Sequence, residues 1–277
     1  MKRVAVTGAR GNLGLELVGM GCVPLHSDIT SIYQIQDELK EVEPDVIINC
    51  AAKSHVDGCE TKEGEKLAVA VNTRGIANLR EIYDGPIIHL STGYIFNGRR
   101  GPYKEKDKPD PLQGYGFSKW AGEVIFQSYN RPGDVIVRTM GLYGGHKPDF
   151  VSFVLTALSN EEKVDVFKDL KFNPTYVPHL AKALMKLVDI EDPPKVVNIV
   201  GKDNLSRYDF ARKIASKFGY DRRLVFPVTL KENGVFQASR PKNAGLRTNL
   251  AKKIGLPIYS VVDGLEDFRY RWESEQA

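Results

Sequence analysis

Along the first half of the chain, short apolar runs alternate with longer segments whose apolar residues recur at helical spacing. Arg3-Val-Ala-Val-Thr7, Asp45-Val-Ile-Ile-Asn49, Pro86-Ile-Ile-His-Leu90 and Asp134-Val-Ile-Val-Arg138 are short and rich in β-branched residues, which predicts strands buried on both faces. Cys22-Val-Pro-Leu25 predicts a further, very short strand. The intervening periodicity predicts helices opening at Leu13 to Val18, from Ile32 to Val42, and over 66 to 83 and 115 to 129. Strict strand–helix alternation implies βαβ units with right-handed crossovers. The expected fold is α/β, a doubly wound parallel Rossmann-type sheet.

After about Gly141 the pattern loosens. Helices are predicted at Phe150 to Leu158, 178 to 189 and 206 to 218, a strand at Val196-Val-Asn-Ile-Val200, and loops over 221 to 246. The expected division is a nucleotide-binding domain over 1–141 and a smaller, mainly substrate-binding lobe over 142–277. Segments near 176–200 are expected to return to the sheet.

Composition narrows the choice of partner. Thirty-nine basic and 35 acidic residues leave a charge of +4, spread along the chain rather than massed, so neither a nucleic acid nor a membrane surface is indicated. The three cysteines, Cys22, Cys50 and Cys59, have no metal-ligand spacing and form no disulfide framework, and no metal site is expected. No apolar run reaches the length of a membrane span or signal peptide, and a cytoplasmic location is expected. His55 and His89 read as packing or hydrogen-bonded residues.

Candidate chemistry begins at Gly8-Ala-Arg-Gly-Asn-Leu-Gly14, a glycine-rich turn between the first strand and the first helix. Glycines there allow a tight turn and let backbone N–H groups and a helix N-terminus approach a pyrophosphate. The candidate cofactor contacts in this turn are Gly8, Arg10, Gly11, Asn12, Leu13 and Gly14. Arg10 could fork onto a 2′-phosphate, and no acid stands where a second strand would end on an NAD ribose, because Asp28 falls beyond that position. NADP(H) is therefore expected over NAD(H). Small residues at Asn49-Cys-Ala-Ala52 suit either a cofactor crossing the sheet edge or close packing.

On a helix over 115 to 129, Tyr115 and Lys119 share a face with Gly122 and Phe126. Phe117, Trp120, Ala121, Val124 and Ile125 cover the opposite side, which is expected to anchor the helix to the core. A phenol titrates near 10, so proton transfer near neutrality calls for a downward shift, which the Lys119 ammonium would supply. Thr92, after the fourth strand, could hold the reacting oxygen.

With glycine turn, strand-terminal Ser91-Thr92 and Tyr115-x-x-x-Lys119 in this order, the chain resembles extended short-chain dehydrogenases/reductases, most closely the dTDP-4-dehydrorhamnose reductase family. The segments PDVIINCAAKSHVDGCE, VNTRGIANL, STGYIF, PLQGYGFSKWAGE, Asn173-Pro-Thr175 and Ala238-Ser-Arg-Pro-Lys-Asn243 carry the likeness across nearly the whole chain. The resemblance implies an NADPH-dependent reductase acting on the C4 ketone of a nucleotide-linked 4-keto-6-deoxy sugar. It implies that Thr92, Tyr115 and Lys119 are catalytic, that Asp28 and Ile29 flank the adenine, and that Ala51, Ala52 and Lys53 line the nicotinamide path. Lys119 would also hold the nicotinamide ribose. Thr92, Gly93, Tyr94, Met140 and Arg240 are the implied substrate contacts, and a homodimer is compatible with the family.

The chain departs from the family twice. Aspartate normally follows the threonine, where Gly93 stands here; and against the family's RTSWVYG this chain has Arg138-Thr-Met-Gly-Leu-Tyr-Gly144. Both changes predict a roomier sugar pocket. A sugar-nucleotide dehydratase would need acids beside the threonine, and Gly93 and Tyr94 provide none. The alternative from another class is a non-catalytic NADP-binding regulatory subunit resembling the methionine adenosyltransferase beta subunit.

Overall fold

The structure, a computed structural model, describes residues 2–233 and 236–276. Its centre is a sheet of six parallel strands. Five are β1 (Val4–Thr7), β2 (Val23–Pro24), β3 (Val46–Asn49), β4 (Ile87–Thr92) and β5 (Val135–Thr139); the sixth, Val196–Asn198, lies beyond β5, giving the order sixth-β5-β4-β3-β1-β2. The order reverses at β1, so a crevice opens at the carboxyl ends of β1 and β3, the usual ligand position in such sheets.

Helices accompany the strands, among them α1 (Asn12–Gly19), α2 (Ile32–Val42), α3 (Lys62–Ala68), α4 (Gly75–Ile82), α5 (Gly114–Ser128), α6 (Phe150–Ser159), α7 (Val177–Val188) and α8 (Arg207–Phe218), with a C-terminal helix at Val261–Gln276. Alternate strand residues point to opposite faces. Val4, Val6, Ile48, Leu90 and Val137 pack with Leu13 and Leu17 of α1 and Leu180 and Leu184 of α7. Ala5, Ile47, Ile87 and Ile136 pack with Ile35 and Leu39 of α2, Ile76 and Leu79 of α4 and Phe126 of α5. A second core gathers residues that follow β5, among them Tyr143, Val154, Val164, Phe210, Leu265 and Phe268.

Two features differ from the sequence-based expectation. The stretch 221–246 is not all loop: Val225–Val228 pairs in parallel with Val164–Phe167, a strand too short and too broken by Pro227 to stand out by periodicity. More tellingly, α5 is turned over. Its buried residues are Gly116, Ser118, Lys119, Gly122, Glu123 and Phe126, whereas Phe117 and Val124 are 51% and 50% exposed. The reason lies opposite the helix. A π-helical stretch, Val69–Arg74, joins α3 to α4 and approaches so closely that a Cβ on Gly122 would stand 2.3 Å from the Asn72 carbonyl. Backbone proximity and polar contacts decide this face: Asn72 Nδ2 donates to Ser118 Oγ (2.9 Å) and Thr73 Oγ1 to the Ser118 carbonyl (2.8 Å).

Candidate active site

The turn after β1 is built to admit a phosphate-bearing ligand. Gly8 has φ +64°, and a Cβ there would sit 2.7 Å from the Ala51 nitrogen; one on Gly14 would sit 2.3 Å from the Gly8 carbonyl oxygen. The loop is thus closed by the Gly11 N–H donating to the Gly8 carbonyl (2.9 Å), with α1 starting immediately afterwards. No side chain caps α1, so its first N–H groups face outwards at the positive end of the helix dipole. This cradle fits a dinucleotide pyrophosphate, and Gly8, Gly11, Asn12, Leu13 and Gly14 all line the cleft above it. Asn12 also ties the cradle to the C-terminal half, its Oδ1 accepting from the Lys147 N–H (2.7 Å).

The cleft, about 600 Å³, continues from the cradle past Cys50, Ala52 and Ser54 to Ser91, Thr92, Tyr94, Tyr115, Lys119, Thr139 and Met140. Thr92 ends β4 and accepts from the Tyr94 N–H (3.2 Å). Gln113 starts α5 by accepting from the Gly116 N–H (2.7 Å), which sets Tyr115 in the first helical turn and Lys119 one turn on. Burial pushes the Tyr115 phenol up to about 12, although its hydrogen bond with Thr92 works in the opposite direction. The expected downward shift by Lys119 is therefore not what governs Tyr115. Removal from water dominates, and the phenol is held protonated.

Lys119, 2% exposed, feels the same environment with the opposite sign. Burial lowers its ammonium to about 8, opposed first by the carboxylate of Glu123. Glu123, one turn further along α5, accepts from Arg138 of β5 through Nε (3.0 Å) and Nη2 (2.7 Å), and from the Ser91 hydroxyl. Arg138 Nη1 in turn donates to the Glu105 carbonyl (2.8 Å). Sequence reasoning gave Glu123 and Arg138 no role and kept Ser91 only as part of the strand-terminal Ser-Thr pair; the available signal was the four-residue spacing from Lys119 to Glu123, which puts both on one helical face.

The model of the RmlD substrate binding domain matches residues 1–269. The chain belongs to that family. It is 34% identical over 247 residues to a dTDP-4-dehydrorhamnose reductase of Mycobacterium tuberculosis, covering 82% of this chain and 79% of the relative. It is 32% identical over 239 residues to a dTDP-4-keto-6-deoxy-D-glucose reductase of Streptomyces niveus, covering 82% of each. The crystal structure of a Bacillus anthracis dTDP-4-dehydrorhamnose reductase in complex with NADP superposes with a TM-score of 0.91 at 31% identity, covering 98% of this chain and 99% of the other.

Within this RmlD-type framework the implied substrate contacts divide. Thr92, Tyr94 and Met140 line the cleft, while Gly93 and Arg240 do not. Arg240 is held back by Asp57, with Nη2 to Oδ2 at 2.6 Å, and lies 4.2 Å over the Phe236 ring. At Gly93 there is no spare room: a Cβ would stand 2.7 Å from the Ala244 carbonyl and 3.0 Å from Met140 Sδ. Counted in register, the family's tryptophan falls on Gly141, where a Cβ would stand 2.5 Å from the Phe172 ring. Met140, Phe172 and the backbone near Ala244 thus occupy the space into which side chains at 93 and 141 would project.

Ile29 is buried in the core beside Gly75, and exposed Asp28 accepts from the Thr30 N–H (2.9 Å) and hydroxyl (2.8 Å). Ala51 packs against the same core, and Lys53 is fixed by its backbone to Asn72, with N–H to Oδ1 at 2.8 Å. Arg10 is exposed and makes no hydrogen bond or ion pair among the described residues. His89 is buried with Nδ1 2.9 Å from Asn49 Nδ2, and His55 accepts from the Gly58 N–H (2.9 Å), as packing and hydrogen-bonded residues do. Among the described residues no helix is long and apolar enough to cross a membrane, and no group of ligating side chains could hold a metal ion.

Proposed function

We propose that the protein is an NADPH-dependent reductase that converts the C4 ketone of a nucleotide-linked 4-keto-6-deoxy sugar into the alcohol. The observation that carries this reading is the joining, in one cleft, of a glycine cradle with Thr92, Tyr115 and Lys119, in a chain whose relatives bear sugar-nucleotide reductase names. The cradle would hold the cofactor's pyrophosphate, and the bound cofactor would supply the hydride for the ketone carbon.

The remaining work belongs to the chain. Tyr115, protonated across the neutral range, gives its hydroxyl proton to the carbonyl oxygen as that oxygen gains negative charge. Thr92 directs its hydroxyl at the same oxygen. Lys119 places a positive charge beside the developing anion, and Glu123 and Arg138 hold that charge in a fixed, water-poor setting. Arg10, exposed beside the cradle, is the proposed partner of a 2′-phosphate, which favours NADPH over NADH.

The test is NADPH consumption by the purified chain with 4-keto-6-deoxy hexoses linked to dTDP, UDP or GDP, followed by analysis of the sugar product. Reduction at C4 supports the reading. Tight NADPH binding with no consumption on any member of the panel would move the protein to a regulatory role.

A further inference from the structure

The cleft has a second charged wall. Its lining includes Lys119, Lys147, Lys171 and Arg207 and no aspartate or glutamate, although the chain as a whole is nearly balanced in charge. Lys119 faces the reaction centre, and Lys147 is tied to the cradle through Asn12. That leaves Lys171 and Arg207, which stand together on the C-terminal half: Leu205–Ser206 pairs antiparallel with Lys171–Phe172, and the Arg207 N–H donates to the Leu170 carbonyl (3.0 Å).

The Arg207 guanidinium is fixed without being neutralised. Its central carbon lies 5.5 Å over the Phe150 ring and 5.5 Å over the Phe172 ring. Among the described residues it meets no carboxylate and donates no side-chain hydrogen bond. Three other partly or fully buried arginines are paired, Arg80 with Asp134, Arg138 with Glu123 and Arg240 with Asp57, whereas Arg212 lies over a single ring, Tyr208, outside the cleft. Two aromatic faces orient a planar cation and leave its edge of N–H donors free, the geometry that suits a forked contact with phosphate oxygens.

We propose that Arg207, assisted by Lys171, binds the diphosphate of the sugar-nucleotide substrate, on the wall opposite the cofactor's own pyrophosphate cradle. The assignment rests on the reductase reading above and adds the group that anchors the substrate. The same Phe172 whose ring lies against Gly141 aligns this arginine, so the wall beside Gly141 and the anchoring of the substrate share one side chain.

The experiment is calorimetric titration of dTDP, with NADPH titrated in parallel, into the intact wild-type chain and into Arg207→Gln, Arg207→Ala and Lys171→Ala. Arg207→Gln should weaken dTDP about 10- to 100-fold, the scale of one or two charge-assisted hydrogen bonds, and leave NADPH within about twofold. Lys171→Ala, at an exposed position without packing, should weaken dTDP about threefold and lessen its salt dependence. If dTDP affinity in both Arg207 variants and in Lys171→Ala equals wild type, the assignment is overturned while the reductase reading stands. It is equally overturned if NADPH and dTDP weaken together, since Arg207 would then serve the cofactor or the fold. A wild-type chain that binds NADPH but none of dTDP, UDP or GDP overturns the reductase reading and this assignment together.

Discussion

The two walls of the cleft are organised in opposite ways. On the sheet side, the charges near Tyr115 face opposite charges: Glu123 has Arg138 and Ser91, Arg138 has the Glu105 carbonyl, and the Lys119 ammonium, one helical turn away, feels the Glu123 carboxylate. On the far side, Arg207 and Lys171 have no counter-charge among the described residues, and rings rather than ion pairs orient the arginine. A saturated network cannot be reorganised cheaply, which suits a site where charge must appear in one place during reaction. An unsaturated cation is suited to capture, because its electrostatic partner arrives with the ligand. Chemistry and anchoring are thereby separable, and substitutions on the two walls should fail in different measurements.

The largest effect is expected at the saturated wall. Tyr115→Phe should lower kcat by about 10²-fold or more while NADPH affinity stays near wild type, checked by single-turnover kinetics beside a binding titration. Retained turnover would remove Tyr115 as the proton donor. The pH profile offers the next largest signal. Lys119 titrates near 8 in the free protein and Tyr115 near 12, so kcat/KM should fall about tenfold per pH unit once pH rises through about 8, as the ammonium is lost. Lys119→Arg should move that descending limb upwards, and an unchanged limb would assign it elsewhere.

Arg10→Ala should weaken NADPH about tenfold more than NADH, because only the former carries the 2′-phosphate; equal weakening in a titration would detach Arg10 from that role. Gly93→Asp should destabilise the fold by about 1–3 kcal/mol through its clash with the Ala244 backbone, and it should not narrow the range of sugars reduced. Denaturant melts and a substrate panel would check both parts. The smallest effect belongs to the solvent side of α5. Val124→Ala, at a position 50% exposed, should change stability by no more than about 0.5 kcal/mol, in contrast to the buried face of the same helix.

The contrast between walls also marks what could be read from the chain. Strands β1, β3, β4 and β5 declare themselves because each is a short apolar run between turn residues, and Gly8, Gly11 and Gly14 because backbone geometry at the turn excludes side chains. Tyr115 and Lys119 are legible as a pair by helical spacing alone. The orientation of α5 is not: helical periodicity identifies two faces but cannot say that Asn72 and Thr73, more than 40 residues earlier, will bond Ser118 and claim the polar one. Gly93 and Arg240 show the same limit. Whether a family position lines a pocket depends on contacts such as Arg240 with Asp57, made across long sequence separations. Arg207 carries no local signature, since its value comes from two rings contributed by α6 and by the strand around Phe172.

The Arg240 clasp has a temporal side. Asp57 accepts the Ala238 N–H across 181 residues of chain, and the Ala244 carbonyl closes the space behind Gly93. On a ribosome adding roughly 5–20 residues each second, those partners emerge about ten to forty seconds after Asp57 does. During that interval the nascent sheet can form from its own strands, while the back of the sugar pocket stays unwalled and the Asp57 carboxylate has no guanidinium to meet. The wall behind Gly93 is thus completed late in synthesis, when residues 238 to 244 emerge.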